Sequence, residues 1–339
     1  MKEKKLSEEK ISEEKKSAAG IEPVGKTETS AKAGSEAGTK SAGETGSAAL
    51  KKLNPHTIGI LMVVFDSFCF SLMSVFVRLA GDVPTMQKTF FRNLVAAGIA
   101  IAILARSPEK FRIKKGCFPG LFGRAFFGTI GLLTNYWAID HIALADANIL
   151  NKMSPFFAII VSIFILKEIP DAVEWVTIAI AFIGAAFIVK PTAGIASLPS
   201  LVGLVSGLGA GIAYTFVRKL GNQGERGTVI VAFFSIFSLM VSAPFLIADY
   251  HPMTAKQWLL LLLAGVLAAG GQFSITAAYR FAPAKEISVF DYSQVIFASL
   301  WGAAMFGEVP DIVSAIGYVI VIGTAIYRWH YNLRKPEAA

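Results

Sequence analysis

The tetrapeptide Glu168-Ile169-Pro170-Asp171 returns 140 residues further on as Glu308-Val309-Pro310-Asp311. The same offset sets Ser74-Val75-Phe76-Val77-Arg78 against Tyr214-Thr215-Phe216-Val217-Arg218, and Gly81 against Gly221. Between them, Ala147 to Phe157 falls opposite Ile287 to Phe297, two polar-then-apolar stretches that end in Pro155-Phe156-Phe157 and Val295-Ile296-Phe297. One short match could arise by chance. Three in register at one offset mark an internal duplication.

The duplicated region is apolar, and the residues before it are not. Of the 339 residues, 54% are hydrophobic and 17% charged, against about 25% charged in an average soluble domain. Residues 1–50 hold nine Lys and nine Glu and no Phe, Tyr or Trp, so they add no net charge and almost nothing to bury. Residues 1–52 therefore read as a disordered cytoplasmic tail, with a tethering or regulatory role as the alternative. The remainder carries 23 Lys and Arg against 15 Asp and Glu and has the composition of a membrane protein.

Crossing roughly 30 Å of hydrocarbon takes about 20 apolar residues at 1.5 Å each. Ten such runs stand at 58–79, 87–105, 118–138, 144–166, 172–190, 199–220, 228–248, 257–279, 286–306 and 311–329. Continuous apolar runs suit helices, which satisfy their own backbone in lipid, and not the alternating strands of a barrel. The expected fold is an all-α membrane protein of ten transmembrane helices.

With the N-terminus in the cytoplasm, sixteen Lys and Arg of the connections and tails fall on the cytoplasmic side, including Lys110, Lys114, Arg218 and Arg226. Four fall on the other: Arg78, Lys88, Lys190 and Lys256. This bias follows the positive-inside rule. It predicts a multi-pass protein of the inner (cytoplasmic) membrane with both termini in the cytoplasm, residues 331–339 forming a short C-terminal tail. Five helices per copy is an odd number, so the second copy, 198–330, enters the membrane from the side opposite to the first, 57–190. Such inverted repeats are typical of secondary transporters: two halves of similar energy exchange conformations around a site near the midplane.

The segment Ala143 to Asp171, with Asn148-Ile149-Leu150-Asn151-Lys152-Met153-Ser154-Pro155 leading to Phe164-Ile165-Leu166-Lys167-Glu168, resembles the repeat-ending helix of the EamA-type drug/metabolite transporters. Ala282 to Asp311, ending in Met305-Phe306-Gly307-Glu308, is similar to the same motif in a second copy, and Phe90-Phe91-Arg92 resembles the family's second-helix signature. The likeness covers about residues 57–330. It implies a ten-helix basket whose central cavity is lined by the first, third, fourth, sixth, eighth and ninth helices. Lys152 and Asp291 depart from the family pattern, standing where neutral residues are common.

An ionisable group near the centre of a span costs about 2.5–3.5 kcal/mol on insertion scales, so each one needs a reason. Asn148, Asn151, Lys152 and Pro155 share one face of the fourth run, opposite an apolar face of Ile149, Leu150, Met153, Phe157 and Ile160. Ser288, Asp291, Tyr292 and Ser299 share a face of the ninth. Three roles stay open for Lys152: gripping the two ends of a zwitterion together with Asp291, pairing internally with Asp66 or Asp291 to hold one conformation or carry a coupling proton, or standing as a tolerated charge in a water-filled cavity. Asp66, near the middle of the first run, is a candidate for proton or cation coupling or for simple pairing. Arg124, near the cytoplasmic end of its run, reads as a cation that snorkels to the headgroups, and Arg92 as structural or snorkelling, with anion attraction as its alternative. Asn135, Tyr136, Tyr214, Gln272, Thr276 and Tyr279 are candidate cavity residues, and interhelical hydrogen bonding accounts equally for any one of them. Trp137 and Trp301 are candidates for stacking on a substrate or for anchoring. Gly203, Gly207 and Gly211, like Gly128 and Gly131, read as close-packing surfaces.

Other classes find no support. Two cysteines, Cys69 and Cys117, make no disulfide scaffold, and the basic residues form no nucleic-acid patch. There is no H-E-x-x-H, no G-x-S-x-G and no P-loop, so no catalytic residue is assigned, and the four His, far apart, suggest no metal site. A channel or membrane-embedded enzyme is disfavoured. The expectation is a secondary transporter of a small polar organic metabolite, an amino acid or related zwitterion first, with a larger heterocycle such as a nucleoside-like compound, vitamin or drug as the alternative. Its expected partners are that small molecule and the lipid bilayer, with a coupling proton or cation and a homodimer as options. No cofactor or nucleic acid is expected.

Overall fold

The computed structural model describes residues 54–167, 169–189, 197–281 and 288–334. The expected tail at 1–52, Glu168, Lys190, Lys285, residues from 335 on, and the side chains of Thr276, Tyr279 and Ser288 lie outside that description. Among the described residues the chain is helical throughout. The helices are α1 (Pro55–Leu79), α2 (Thr85–Arg106), α3 (Phe118–His141), α4 (Leu144–Asn151), α5 (Ser154–Ile165), α6 (Ala172–Val189), α7 (Leu198–Asn222), α8 (Gly227–Ala248), α9 (Ala255–Phe281), α10 (Ser293–Phe306) and α11 (Ile312–Arg334), with a 3₁₀ turn at Ser288–Tyr292 before α10.

Among the described residues, eight segments are long and apolar enough to cross a membrane: α1, α2, α4 with α5, α6, α7, α8, most of α9, and α11. Two of the ten expected spans fall short of that standard. α3 is diluted by Arg124, Asp140 and the Thr134-Asn135-Tyr136 stretch, and α10 has only 14 residues. Large apolar side chains such as Phe65, Phe122, Ile183, Val266, Leu300 and Val319 face outward, as a hydrocarbon solvent allows.

The helices pair across the duplication. α1 packs along α9 and α3 along α7; α2 lies on α8, α6 on α11, and α4 on α10. α4 and α5 both lean on α7, as the 3₁₀ turn and α10 lean on α1. A shift of 140 residues exchanges α1 on α9 with α7 on α3, returns α2 on α8 and α6 on α11 to themselves, and sets the lean of α4 and α5 on α7 against that of the 3₁₀ turn and α10 on α1.

Loop contacts define two ends. At the end carrying the basic loops, Arg226 donates to Ser107 Oγ (3.1 Å) and to the carbonyls of Lys110 (2.7 Å) and Arg112 (3.1 Å), and Glu225 accepts from the Lys114 N–H (2.8 Å). At the opposite end Gln87 exchanges two hydrogen bonds with the His251 backbone (2.8 and 3.0 Å), and Lys88 pairs with Asp140 (2.7 Å). Arg78 pairs there with Glu308, which also accepts from the Leu144 N–H (2.8 Å) at the start of α4.

The fourth and ninth runs are not the continuous helices the sequence leads one to expect. α4 stops at Asn151, and Lys152 and Met153 form a turn before α5. Pro155, in the first turn of α5, has no N–H to donate backward and its ring blocks a through-running helix. The ninth run starts as a 3₁₀ turn and becomes α-helical only at Ser293, so the irregularity falls at the equivalent place. There Val295 stands where the fourth run has Pro155. Gly207 and Gly211 let the α7 backbone reach the broken segment: a Cβ would stand 2.5 Å from the Leu150 carbonyl oxygen at the first and 2.7 Å from that of Ser154 at the second. Gly207 and Gly211, with Gly131 against the α7 backbone at Ser206 and Ala210, are close-packing surfaces, as expected.

Candidate substrate site

The two breaks meet. Lys152 Nζ donates to Asp291 Oδ2 at 2.6 Å, and the Tyr292 hydroxyl donates to the Lys152 carbonyl at 3.0 Å. That carbonyl lies at the helix break, so the tyrosine satisfies backbone that the irregular turn exposes. One turn away, Gln294 Nε2 donates to Asn148 Oδ1 (2.5 Å), tying α10 to α4 a second time. Asn151 Nδ2 donates to Ser206 Oγ of α7 (3.1 Å). At the 140-residue offset Asn151 corresponds to Asp291 and Ser206 to Asp66, and the Asp66 carboxyl does lie beside Asp291. Ser67 Oγ also donates to the Asp291 carbonyl (3.2 Å) and carboxylate (3.4 Å). Asp66 is 2% exposed and its Oδ1 has no hydrogen-bond partner.

A cavity of about 680 Å³ of empty space, its mouth included, opens beside this cluster. Its polar wall includes Arg92, Arg124, Asn135, Asn151, Lys152, Tyr214, Gln272 and Gln294, and Phe70, Met73 and Phe234 supply apolar surface. Of the residues singled out from the sequence, Asn135, Asn151, Lys152, Tyr214 and Gln272 line the cavity. Asp66, Asn148, Asp291 and Tyr292 stand behind the wall, bonded to or beside its lining residues. Tyr136 packs in the core instead, its hydroxyl 3.4 Å from Met73 Sδ. Trp137 stacks on His141 and Trp301 packs against Phe68, and neither reaches the cavity. Ser299 bonds back to its own helix at Val295.

Two helices outside the expected lining set contribute: α2 brings Arg92 and α8 brings Phe234. The expectation that Arg124 snorkels to the headgroups is overturned. Its side chain is 5% exposed, stacks on Phe234 with the guanidinium carbon 3.9 Å from the ring centroid, and faces the cavity. Gly128 explains the turn inward, since any Cβ there would collide with the Arg124 guanidinium. That i, i+4 glycine was the signal available in the sequence.

Long apolar helices packed as two interlocked sets, with polar groups gathered where two of them break, make a multi-pass membrane transporter of the drug/metabolite superfamily. The chain belongs to the EamA-like transporter family, which matches residues 57–190 and 198–327. It is 34% identical over 272 residues to the pseudopaline exporter CntI of Pseudomonas aeruginosa strain UCBPP-PA14, covering 79% of this chain and 94% of that protein. It is 28% identical to a riboflavin transporter of Vibrio cholerae, covering 72% and 84% respectively. A solved crystal structure superposes with a TM-score of 0.60 at 15% identity over 83% of this chain and 100% of the other, a likeness of fold.

Proposed function

We propose that this chain is a secondary carrier for a small polar organic metabolite, with ten crossing helices in two inverted five-helix repeats, both termini cytoplasmic, working by alternating access. The observation that carries this reading is the Lys152–Asp291 pair, which joins the two helix breaks beside the polar cavity. A charge pair across the duplication has the properties of a latch. Closed, each ion offsets the desolvation of the other; opened, each must find water or cargo. Broken helices expose backbone groups that such a site can use without unfolding.

Closure of the pair at 2.6 Å favours internal pairing over a grip on the two ends of a zwitterion. Selection of cargo then falls to the remaining wall. Asp66, with one carboxylate oxygen unpartnered while Asp291 holds Lys152, is the group positioned to carry a coupling proton. A larger heterocyclic cargo is the second reading, supported by Phe70, Tyr214 and Phe234 on the wall.

The test is saturable counterflow in proteoliposomes preloaded with a metabolite panel. Lys152→Ala and Asp291→Ala are expected to abolish it while the protein still inserts. The exchanged pair, Lys152→Asp with Asp291→Lys, is expected to restore a measurable part. Ohmic currents without saturation would overturn the carrier reading, and normal counterflow in both alanine variants would remove the latch.

A further inference from the structure

Arg92 of α2 and Arg124 of α3 converge on one ring. Their guanidinium carbons lie 5.9 and 3.9 Å from the centroid of Phe234. Both side chains are more than nine-tenths buried, 3% and 5% exposed, yet both line the cavity. Arg92 commits one donor to Asn93 Oδ1 (2.7 Å); its Nε, and the Nε of Arg124, have no hydrogen-bond partner. Among the described residues neither guanidinium has a carboxylate within ion-pair distance. The third cation of the wall, Lys152, is already neutralised by Asp291.

This arrangement is costly unless something anionic completes it. Arginine keeps its proton in proteins, so two fixed like charges sit together away from bulk water. The Phe234 face offsets part of that cost, but a cation over a ring does not use the N–H groups in its own plane. Those groups form the fork that matches a carboxylate, two parallel bonds to two oxygens. Gly128 keeps the Arg124 fork turned into the cavity. Asn135, Gln272 and Gln294 stand on the same wall to bind the rest of a polar molecule.

We infer that Arg92 and Arg124, mounted on Phe234, form a carboxylate-binding site, and that the cargo is a carboxylated organic anion. The inference rests on reading this cavity as the transport site, but its test does not need transport. Purified full-length protein in lipid nanodiscs is titrated at constant ionic strength with propane-1,2,3-tricarboxylate, its neutral trimethyl ester, or spermidine, and the unfolding midpoint is followed. A saturable rise is expected with the acid and none with the ester or spermidine. Arg92→Gln and Arg124→Gln should each raise the half-saturating concentration about tenfold, as loss of a charged hydrogen-bonding partner does. Arg124→Lys should recover part of that loss, and Gly128→Ala, which changes no charge, should weaken binding by displacing the fork. If a Gln variant fails to fold, the Lys and Gly128→Ala variants carry the comparison.

No saturable shift with the acid, equal affinity in all variants, or stabilisation by the ester or spermidine alone overturns the carboxylate assignment and leaves the carrier reading standing. Arginine-dependent binding without transport of any carboxylate in vesicles keeps the binding site and overturns its assignment to the cargo.

Discussion

A lysine and an aspartate 139 residues apart in the chain hold each other at 2.6 Å inside a membrane protein. Each alone is a poor choice for a span, and together they are tolerable. Removing one partner leaves an uncompensated buried charge, a loss of about 3–5 kcal/mol, so Lys152→Ala should lower the unfolding midpoint of the purified protein well below that of Lys152→Met with Asp291→Leu, which removes both. Asp66→Asn is expected to abolish uptake driven by a proton gradient while leaving counterflow intact; loss of both would place Asp66 in binding and not in coupling. Lys152 and Asp291 were legible from the sequence because charge in an apolar run demands a reason. Arg124 was not, because a cation six residues into a span has two ways to hide. Gly128 is the one mark of the choice in the sequence, and Phe234, far away in the chain, gives none.

At the scale of the elements, the broken runs matter more than the whole ones. Periodicity placed 144–166 and 286–306 as spans, and Pro155 was visible in the first. The 3₁₀ start of the second has no proline to announce it, and it arises where the chain must present Asp291 to α4. Close packing lets α7 follow the broken segment. Gly207→Ala would put a methyl 2.5 Å from the Leu150 carbonyl oxygen, an overpacking cost of about 1–3 kcal/mol, read as a lower unfolding midpoint. Gly98→Ala, where an added Cβ meets nothing within 4 Å, is the control and should cost nothing measurable. Equal effects at the two positions would contradict the close-packing role.

For the whole molecule, the end opposite the basic loops is tied together by Arg78 with Glu308, Lys88 with Asp140, and Gln87 with the His251 backbone. If alternating access operates, loosening these ties must expose the cavity to that side. A cysteine placed at Ser74, which lines the cavity, in a background without Cys69 and Cys117, is expected to react several-fold faster with an impermeant thiol reagent when Glu308→Ala is added. An unchanged rate would show that this cluster does not gate. The match to the EamA-like family over both halves agrees with the 140-residue offset and with the pairing of α1 on α9 and α3 on α7.

The membrane class, the helical content, the duplication and the short roster of costly charges are legible in the chain before it folds. These follow from composition, run length and register, which are properties of a one-dimensional string. Which charges meet, where two of the apolar runs break, and the part of α2 and α8 in the cavity wall emerge with the packed fold. Those depend on where side chains point after helices far apart in sequence have packed, and a 3.6-residue period records a face without recording its neighbour. The cavity's two unpaired arginines belong to this second kind of fact, since the anion they await is set by a convergence in space.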